Sequence, residues 1–125
     1  MSATKALSAG LPHAPAPYSQ GIASGDFIFI SGQTGIDHNT GNLPDDFESQ
    51  ARQAFKNVEI ILKAAGSSLS KVIKTTIWLT DAANFSRLNE LYAEYFPSNA
   101  PARSTPIVGL PKEGLLISIE AVASA

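Results

Sequence analysis

The chain of 125 residues contains no cysteine and only two histidines, His13 and His38. Without thiols it can form no disulfide bond, no thiolate nucleophile and no sulfur-ligated metal site. Both histidines lie in segments with no helix or strand pattern, which disfavours a serine–histidine triad. Two histidines without a cysteine also disfavour a structural zinc site, whereas binding of magnesium by carboxylates stays open. The sequence also lacks a Walker loop and a glycine-rich dinucleotide motif. These absences set aside several common kinds of catalytic centre.

The chain also has no large excess of positive or negative charge and no long apolar run. Nine lysines and arginines against eleven acids give a net charge of −2, and the lysines are spread among the acids. Such a distribution provides no basic patch for phosphate groups, so nucleic acid is not an expected partner. No apolar run approaches the ~20 residues of a membrane span, and the N-terminus lacks the apolar core of a signal peptide. We therefore expect a cytoplasmic protein without a membrane partner.

The length and pattern of the chain indicate one domain over residues 1–125. Pro12, Pro15 and Pro17 prevent helix near the N-terminus and favour an extended lead-in over residues 1–15. Further along, β-rich runs separated by turn residues predict strands. These predicted strands cover residues 18–23, 27–30, 71–79, 104–110 and 115–123.

Two amphipathic helices are predicted between the strands. The first begins after an N-cap at Asp45 or Asp46 and ends at residue 65, because Gly66 provides a C-terminal stop. The second follows a cap at Asp81 and stops before Pro97. In both helices the apolar residues recur at three- and four-residue spacing, which is typical of one buried stripe. In the second helix the stripe contains Phe85, Leu88, Tyr92 and Tyr95, with Leu91 beside it.

These elements predict an α+β fold, with a mixed sheet and two helices packed on one face. Residues 27–30 are apolar on both faces of their strand, so both faces of the sheet need cover. The chain has no third helix to provide it, which favours a closed homo-oligomer. Within residues 71–79, alternation places Ile73, Thr75, Ile77 and Leu79 on one face and Val72, Lys74, Thr76 and Trp78 on the other.

Arg103 and Glu120 are the two charged residues in unexpected places. Arg103 lies in a stiff segment between Pro101 and Pro106, where a planar fork of donors suits a carboxylate. Glu120 is a lone acid in an apolar strand, and alternation directs it away from the helix-covered face. Together they form a candidate site. An interface ion pair explains each of them about equally well.

Four other residues are weaker candidates. Ser31 and Gly32, at the end of a strand, fit either a β-bulge or the close approach of a ligand, and the bulge is favoured. A tyrosine such as Tyr18 is usually a packing residue with its hydroxyl near water. An asparagine on a helix, such as Asn89, usually forms a local hydrogen bond or faces solvent. The residue types alone therefore leave their roles open.

Five separated motifs nevertheless resemble one known family. They are Ala16-Pro17-Tyr18-Ser19-Gln20-Gly21, Ile30-Ser31-Gly32-Gln33, Val72-Ile73-Lys74-Thr75-Thr76, Pro101-Ala102-Arg103-Ser104 and Ile119-Glu120-Ala121. In this order, over residues 14–123, they are similar to the reactive intermediate deaminase family, also called the Rid, RidA or YjgF type. The resemblance implies a chorismate-mutase-like α+β fold with a mixed six-stranded sheet. It also implies a homotrimer around a central barrel, with clefts between neighbouring subunits.

The activity implied by the resemblance is that of a 2-iminobutanoate/2-iminopropanoate deaminase. Such an enzyme hydrolyses enamines and imines, for example 2-aminoacrylate and 2-iminopropionate, to 2-keto acids and ammonia without a cofactor. Arg103 would then bind the substrate carboxylate, Glu120 would hold the attacking water, and Tyr18 would form part of the wall. Other substrate contacts implied by the family are Ser31, Gly32, Asn89 and the backbone at Thr105.

One departure from the family and three alternative functions remain open. Much of the family has cysteine or valine soon after the Arg-Ser pair, where this chain has Thr105-Pro106; this bears on the shape of the cleft and on substrate preference. The alternatives are a deaminase of a larger pathway enamine such as 2-aminomuconate, a ribonuclease or translation inhibitor, and a protein that only binds small ligands. Arg103 and Glu120 favour the enzyme.

Overall fold

The structure is a computed structural model that describes the backbone of residues 5–7 and the whole of residues 17–125. Within these residues it contains six strands and two α-helices. The strands are β1 (Lys5–Leu7), β2 (Gly21–Ser24), β3 (Phe27–Thr34), β4 (Val72–Leu79), β5 (Ala102–Ser104) and β6 (Ile117–Ser124). The helices are α1 (Phe47–Ala64) and α2 (Phe85–Tyr95), and short 3-10 turns at Leu69–Lys71 and Ala82–Asn84 precede β4 and α2.

The strands form one mixed sheet in the order β1-β2-β3-β6-β4-β5. β4 and β5 are parallel neighbours, and α2 provides the crossover between them. β3 and β4 both pair antiparallel with β6, so they run parallel to each other while α1 connects them. The buried residues of both helices share one core with the inward residues of the sheet. The prediction of an α+β fold with a mixed sheet and two helices is confirmed.

α1 begins and ends where the sequence predicts. The Oδ2 of Asp46 accepts a hydrogen bond from the backbone N–H of Ser49 at 2.9 Å, which lowers the pKa of the Asp46 carboxyl group. Gly66 has φ +75°, the left-handed conformation that commonly follows a helix. Among the described helices, none has the length and apolarity to cross a bilayer. The buried apolar stripe of α1, which faces β3 and β6, contains Phe47, Ala51, Ala54, Phe55, Val58, Ile61 and Leu62.

The start of α2 differs from the prediction. Asp81 caps the 3-10 turn instead of the helix, because its Oδ1 accepts a hydrogen bond from the N–H of Ala83 at 2.9 Å. Phe85, predicted on the apolar stripe, is the first residue of α2 and remains 42% exposed. It lies beside the edge strand β5 and contacts the guanidinium of Arg103 there. The buried part of the stripe is Leu88, Leu91 and Tyr92.

In β4 the predicted alternation is wrong for the first two residues. A bulge shifts the register with β6 between Val72 and Lys74. Val72 is consequently buried and Ile73 is 46% exposed, the reverse of the predicted faces. From Thr75 to Leu79 the alternation is as predicted, and every second residue faces the helices.

Three predicted strands have other bounds. The strand predicted over residues 27–30 continues to Thr34. The strand predicted over residues 18–23 begins only at Gly21. The strand predicted over residues 104–110 is wrong, since β5 ends at Ser104 and the following segment adds only a bridge between Leu79 and Ile107. Pro106 has no N–H to donate to a ladder, which prevents the strand from continuing. The lead-in predicted over residues 1–15 lies outside the described residues, apart from Lys5–Leu7, which form β1.

One face of the sheet is not covered by α1 or α2. On this face Phe27 and Phe29 are 45% and 47% exposed, whereas Ile28 and Ile30 of the same strand are buried in the core. Phe29 pairs with Val122 across β3 and β6, so the apolar surface continues onto the central strand. Phe27, Phe29 and Val122 are called the open face below. Adjacent exposed aromatic side chains of this kind are a common feature of interaction surfaces.

Candidate active site

Arg103 extends from the edge strand β5 onto α2. Its Nη2 donates a hydrogen bond to Oδ1 of Asn89 at 2.7 Å. Its Cζ lies 4.7 Å from the ring centroid of Tyr92 and 5.6 Å from that of Phe85, which are cation–π distances. Positions 85, 89 and 92 are four and three residues apart, so they lie on one side of α2. Phe85, Asn89 and Tyr92 are called the arginine cradle below.

Arg103 differs from the other two arginines in having no acidic partner among the described residues. Arg52 forms ion pairs with Glu48 and Glu94, and Arg87 forms an ion pair with Glu48 at 2.5 Å. Within residues 17–125, Arg103 forms no ion pair, and its contacts are the neutral groups of the arginine cradle. Because the side chain is only partly buried, its remaining N–H donors can bind an anion from outside the chain.

Tyr92 is held firmly beneath Arg103. Its hydroxyl shares a hydrogen bond of 2.8 Å with Oγ1 of Thr75, and both residues are buried. Burial raises the pKa of Tyr92, against smaller opposite effects of the Thr75 hydrogen bond and the Arg103 charge. The tyrosine therefore stays neutral and offers the face of its ring to the guanidinium.

A second group of predicted residues meets at a bulge between β3 and β6. Ile30 pairs with Ala121 and Gln33 with Ile119, so Ser31 and Gly32 together lie opposite Glu120. The predicted bulge is confirmed, and it places two candidate residues beside a third. The main chain and hydroxyl of Ser31 also hold the segment that carries Tyr18. The N–H of Ser31 donates to the carbonyl of Gln20 at 3.0 Å, and its Oγ donates to that of Ser19 at 2.5 Å.

A cavity of about 510 Å³ lies beside this bulge and is called the strand cavity below. Tyr18, Gly32 and Ser118 line it, and a Cβ on Gly32 would come within 2.7 Å of the Ser118 Oγ. A side chain at position 32 would therefore require the Ser118 hydroxyl to rotate away. His38 also lines the cavity, and its pKa is lowered by burial despite the nearby Asp37. The remaining lining residues are Gln20, Gln33, Thr34, Ile36, Gly41, Leu110, Pro111, Lys112 and Leu115.

Ser118 is a candidate site residue that the sequence analysis missed. It is only 7% exposed, it lines the strand cavity, and its hydroxyl has no hydrogen-bond partner in residues 17–125. Its position two residues before Glu120 on the same face of β6 was the signal that could have identified it. A second and more open hollow, of about 710 Å³ beside Arg52 and Lys56, contains none of the predicted site residues.

The arginine cradle and the strand cavity lie apart within one chain. Arg103 pairs with Thr75, which is paired in turn with Ala121 on the helix-covered face. Glu120 pairs with Thr76 and projects from the opposite face. Two strand spacings also separate the backbones of Arg103 and Glu120 by about 10 Å. One chain therefore does not bring these two side chains together.

Thr105 and Glu120 make no side-chain hydrogen bond to another residue within residues 17–125. Thr105 is partly buried just after β5, two residues beyond Arg103. Glu120 is partly buried on β6, and its carboxylate has no hydrogen bond or ion pair to another residue in the described part of the chain. Neither residue lines the strand cavity.

The fold and the site define a small α+β protein with a partly polar cavity beside a bulge. At one edge of its sheet lies an arginine whose contacts within residues 17–125 are neutral groups. A protein-family model described as Endoribonuclease L-PSP matches residues 9–125. The chain therefore belongs to this family, which is the Rid or YjgF type that the sequence motifs resemble. That prediction is confirmed.

Similar proteins carry several names. A RutC family protein of Pyrococcus horikoshii is 49% identical over 109 residues, covering 86% of each chain. The human 2-iminobutanoate/2-iminopropanoate deaminase is 46% identical over 114 residues, covering 90% of this chain and 82% of its own. The crystal structure of RidA from the Antarctic bacterium Psychrobacter matches with a TM-score of 0.91 at 36% identity, covering 97% and 99% of the two chains.

Proposed function

We propose that this protein hydrolyses 2-imino acids and their enamine tautomers, such as 2-iminopropionate and 2-aminoacrylate. Water adds to C2 of the imine, the nitrogen gains a proton, and the C2–N bond breaks to release ammonia and a 2-keto acid. The reaction neither oxidises nor reduces the substrate. The name of the human relative, at 46% identity, supports this choice of reaction.

The observation that carries the proposal is that Arg103 contacts only neutral groups among the described residues. A 2-imino acid presents a carboxylate next to the electrophilic carbon, and a planar guanidinium can bind that carboxylate through two parallel hydrogen bonds. Arg103 is available for this role because its contacts in the described residues are neutral. Binding at this point fixes the reacting carbon relative to the protein.

We further propose that the active site forms between two copies in a closed trimer with the chorismate-mutase-like arrangement. The arginine cradle of one copy would then face the strand cavity of its neighbour. Two features support this arrangement: Arg103 and Glu120 project from opposite faces of the sheet, and the open face needs apolar cover. Packing open faces around an axis buries Phe27 and Phe29 and brings sheet edges of different copies together.

In this site Glu120 holds and polarises the attacking water. It lies opposite Gly32 at the bulge, and on its own face it is two residues from Ser118, whose free hydroxyl enters the strand cavity. A carboxylate accepts a proton from water as water adds to C2, and it can return that proton to the departing nitrogen. Tyr18, at the wall of the strand cavity, limits the space beside the substrate.

The proposal is tested by ammonia release from imino acids that are generated in the assay. An amino-acid oxidase produces the imine from alanine, 2-aminobutyrate or leucine, and semicarbazide traps what remains unhydrolysed. We expect the protein to raise the rate of keto-acid formation and to lower trapping in proportion to its concentration. An Arg103→Ala variant should do neither. A parent protein that leaves trapping unchanged for all three imines contradicts the function.

A larger enamine is a second candidate substrate, because the strand cavity is roomy and partly apolar. Its volume is about 510 Å³, and its walls include Ile36, Leu110 and Leu115. A substrate with a long side chain would bury more apolar surface in this cavity than 2-iminopropionate can. If kcat/KM rises steadily with side-chain length across the assay series, the larger substrate is favoured.

A further inference from the structure

We infer that Tyr92 is a positioning residue for Arg103. The hydrogen bond between Tyr92 and Thr75 fixes the ring, and the ring holds the guanidinium of Arg103 in the position from which it binds a carboxylate. The inference rests on the proposed function for the role of Arg103. It extends that function by assigning a task to two residues that touch no substrate.

Thr75, Tyr92 and Arg103 form a closed circuit of contacts. The backbones of Thr75 and Arg103 are paired across β4 and β5. The side chain of Thr75 bonds the hydroxyl of Tyr92 at 2.8 Å, and the ring of Tyr92 lies 4.7 Å from the Cζ of Arg103. The strand residue that fixes the backbone of Arg103 therefore also fixes the ring beneath its side chain.

Arg103 needs such support because of where it lies. β5 is a three-residue edge strand, and the arginine side chain has several rotatable bonds whose freedom must be lost when a ligand binds. Tyr92, by contrast, is only 7% exposed and packs against Phe55 and Phe96, with ring centroids 6.0 and 4.7 Å away. A rigid ring under a flexible cation lowers the entropy lost on binding.

The arginine cradle also leaves N–H donors of the guanidinium free to bind a carboxylate. The ring of Tyr92 covers one face and Asn89 accepts from Nη2. Further N–H donors remain for a carboxylate. Neither contact neutralises the positive charge, unlike the acids that pair with Arg52 and Arg87. Tyr92 and Asn89 thus orient Arg103 without competing with the substrate.

A purely structural role for the Thr75–Tyr92 hydrogen bond makes a different prediction, and a double variant separates the two. Tyr92→Phe and Thr75→Val each leave one buried hydroxyl without its partner, so each should lower Tm. Combining them removes both hydroxyls, and Tm should largely recover. If the bond positions the ring, KM stays raised in the double variant. If the bond serves stability alone, KM returns to the parental value together with Tm.

The kinetic test measures KM and kcat for 2-iminopropionate in these variants and in Tyr92→Leu, which removes the ring. We expect KM to rise about threefold in the hydroxyl variants and their combination, and roughly tenfold in Tyr92→Leu. We expect kcat to change less than about twofold, because a carboxylate contact is present in both ground and transition states. An unchanged KM in Tyr92→Leu, or a KM that recovers with Tm in the double variant, overturns the inference.

Tyr95→Phe is the matched control. Tyr95 is on the same helix, but it stacks on Phe55 at 4.2 Å and has no contact with Arg103. Loss of its hydroxyl should leave KM and kcat at parental values. A KM that rises as much in Tyr95→Phe as in Tyr92→Phe would show a general effect on the helix and would also overturn the inference.

An NMR spectrum of the arginine Nε–Hε groups tests the inference independently of the proposed function. The ring of Tyr92 should shift the Arg103 signal upfield, and Tyr92→Leu should abolish that shift while Arg52 and Arg87 keep their signals. If the parent releases no ammonia, the proposed function fails and the spectrum still decides the positioning role. If the parent is active and the Arg103 signal is the same in Tyr92→Leu, the positioning role alone fails.

Discussion

Arg103 and Glu120 are one residue out of register on the two sides of β4, so they project from opposite faces of the sheet. Thr75 pairs with Arg103, whereas Thr76 pairs with both Ser104 and Glu120. Side chains of laterally paired residues share a face, and neighbours along a strand alternate. A site that uses both charged groups must therefore draw them from two copies of the chain.

Mixed assemblies test this sharing directly. We expect Arg103→Ala and Glu120→Gln to be nearly inactive alone, and a one-to-one mixture, unfolded and refolded together, to regain activity. At random assembly about a quarter of the sites would receive both intact residues, so activity should approach about a quarter of the parental value. Ammonia release from 2-iminopropionate is the measurement.

The control for that experiment is a mixture of the same two variants refolded separately and then combined. It should stay inactive for as long as subunits do not exchange. If the co-refolded mixture is equally inactive while light scattering shows mixed oligomers, the two residues do not act in one shared site.

Replacing Arg103 by lysine keeps the positive charge and removes the planar fork. A point donor cannot reproduce paired hydrogen bonds to a carboxylate. One charge-assisted hydrogen bond is worth ~1.5 to 3 kcal/mol, so kcat/KM for 2-iminopropionate should fall at least roughly tenfold. Titration calorimetry with pyruvate should show a matching loss of affinity.

Arg87→Lys is the matched control for Arg103→Lys. Arg87 is on α2, the helix that carries the arginine cradle, but its guanidinium pairs with Glu48 of α1. Its replacement should leave kcat/KM unchanged. Parental binding and turnover in Arg103→Lys, at an unchanged Tm, would return Arg103 to the role of an interface residue.

The parts of the fold that follow from local chemistry could be predicted from the sequence. Asp46 caps α1 because its carboxylate reaches the N–H of Ser49, and Gly66 ends the helix because it adopts a positive φ. The direction of Glu120 followed from alternation with Ile117 and Ile119, which are buried in the core. Each of these predictions needs only the neighbouring residues.

The errors arise where distant strands decide the outcome. The bulge in β4 depends on the register with β6, and it reverses the exposure of Val72 and Ile73. The role of Ser118 depends on the strand cavity, which combines residues from β3, β6, the segment before β2 and two further loops. The prediction of Tyr92 on a buried stripe is confirmed, but its contact with Arg103 was missed, because that contact requires the parallel pairing of β4 and β5.

Glu120→Gln separates binding from chemistry. The variant keeps the shape of the side chain and loses the negative charge to which we assign the polarisation of water, so kcat should fall at least roughly tenfold. Affinity for pyruvate should be kept within about twofold, because Arg103 remains. Glu59→Gln, an exchange of the same kind on α1, should change neither quantity.

Ser118→Ala tests whether the hydroxyl in the strand cavity shares the work of Glu120. We expect a smaller fall in kcat than in Glu120→Gln, since a neutral hydroxyl orients water but does not accept its proton. Parental kcat in Glu120→Gln together with a large loss in Ser118→Ala would move the water-holding role from Glu120 to Ser118.

Phe29→Asp tests the open face. Burying a charge between apolar surfaces is costly, so the variant should not assemble, and light scattering should give the mass of one chain at micromolar concentration. The chain itself should remain folded by circular dichroism, because Phe29 is 47% exposed and lies outside the core. Activity should fall at least roughly tenfold, because separate copies cannot join an arginine cradle to a strand cavity.

Ala64→Asp adds the same charge at an exposed position of α1 and should leave mass and activity unchanged. A Phe29→Asp variant that stays oligomeric contradicts the role of the open face, and one that is monomeric and fully active contradicts the shared site.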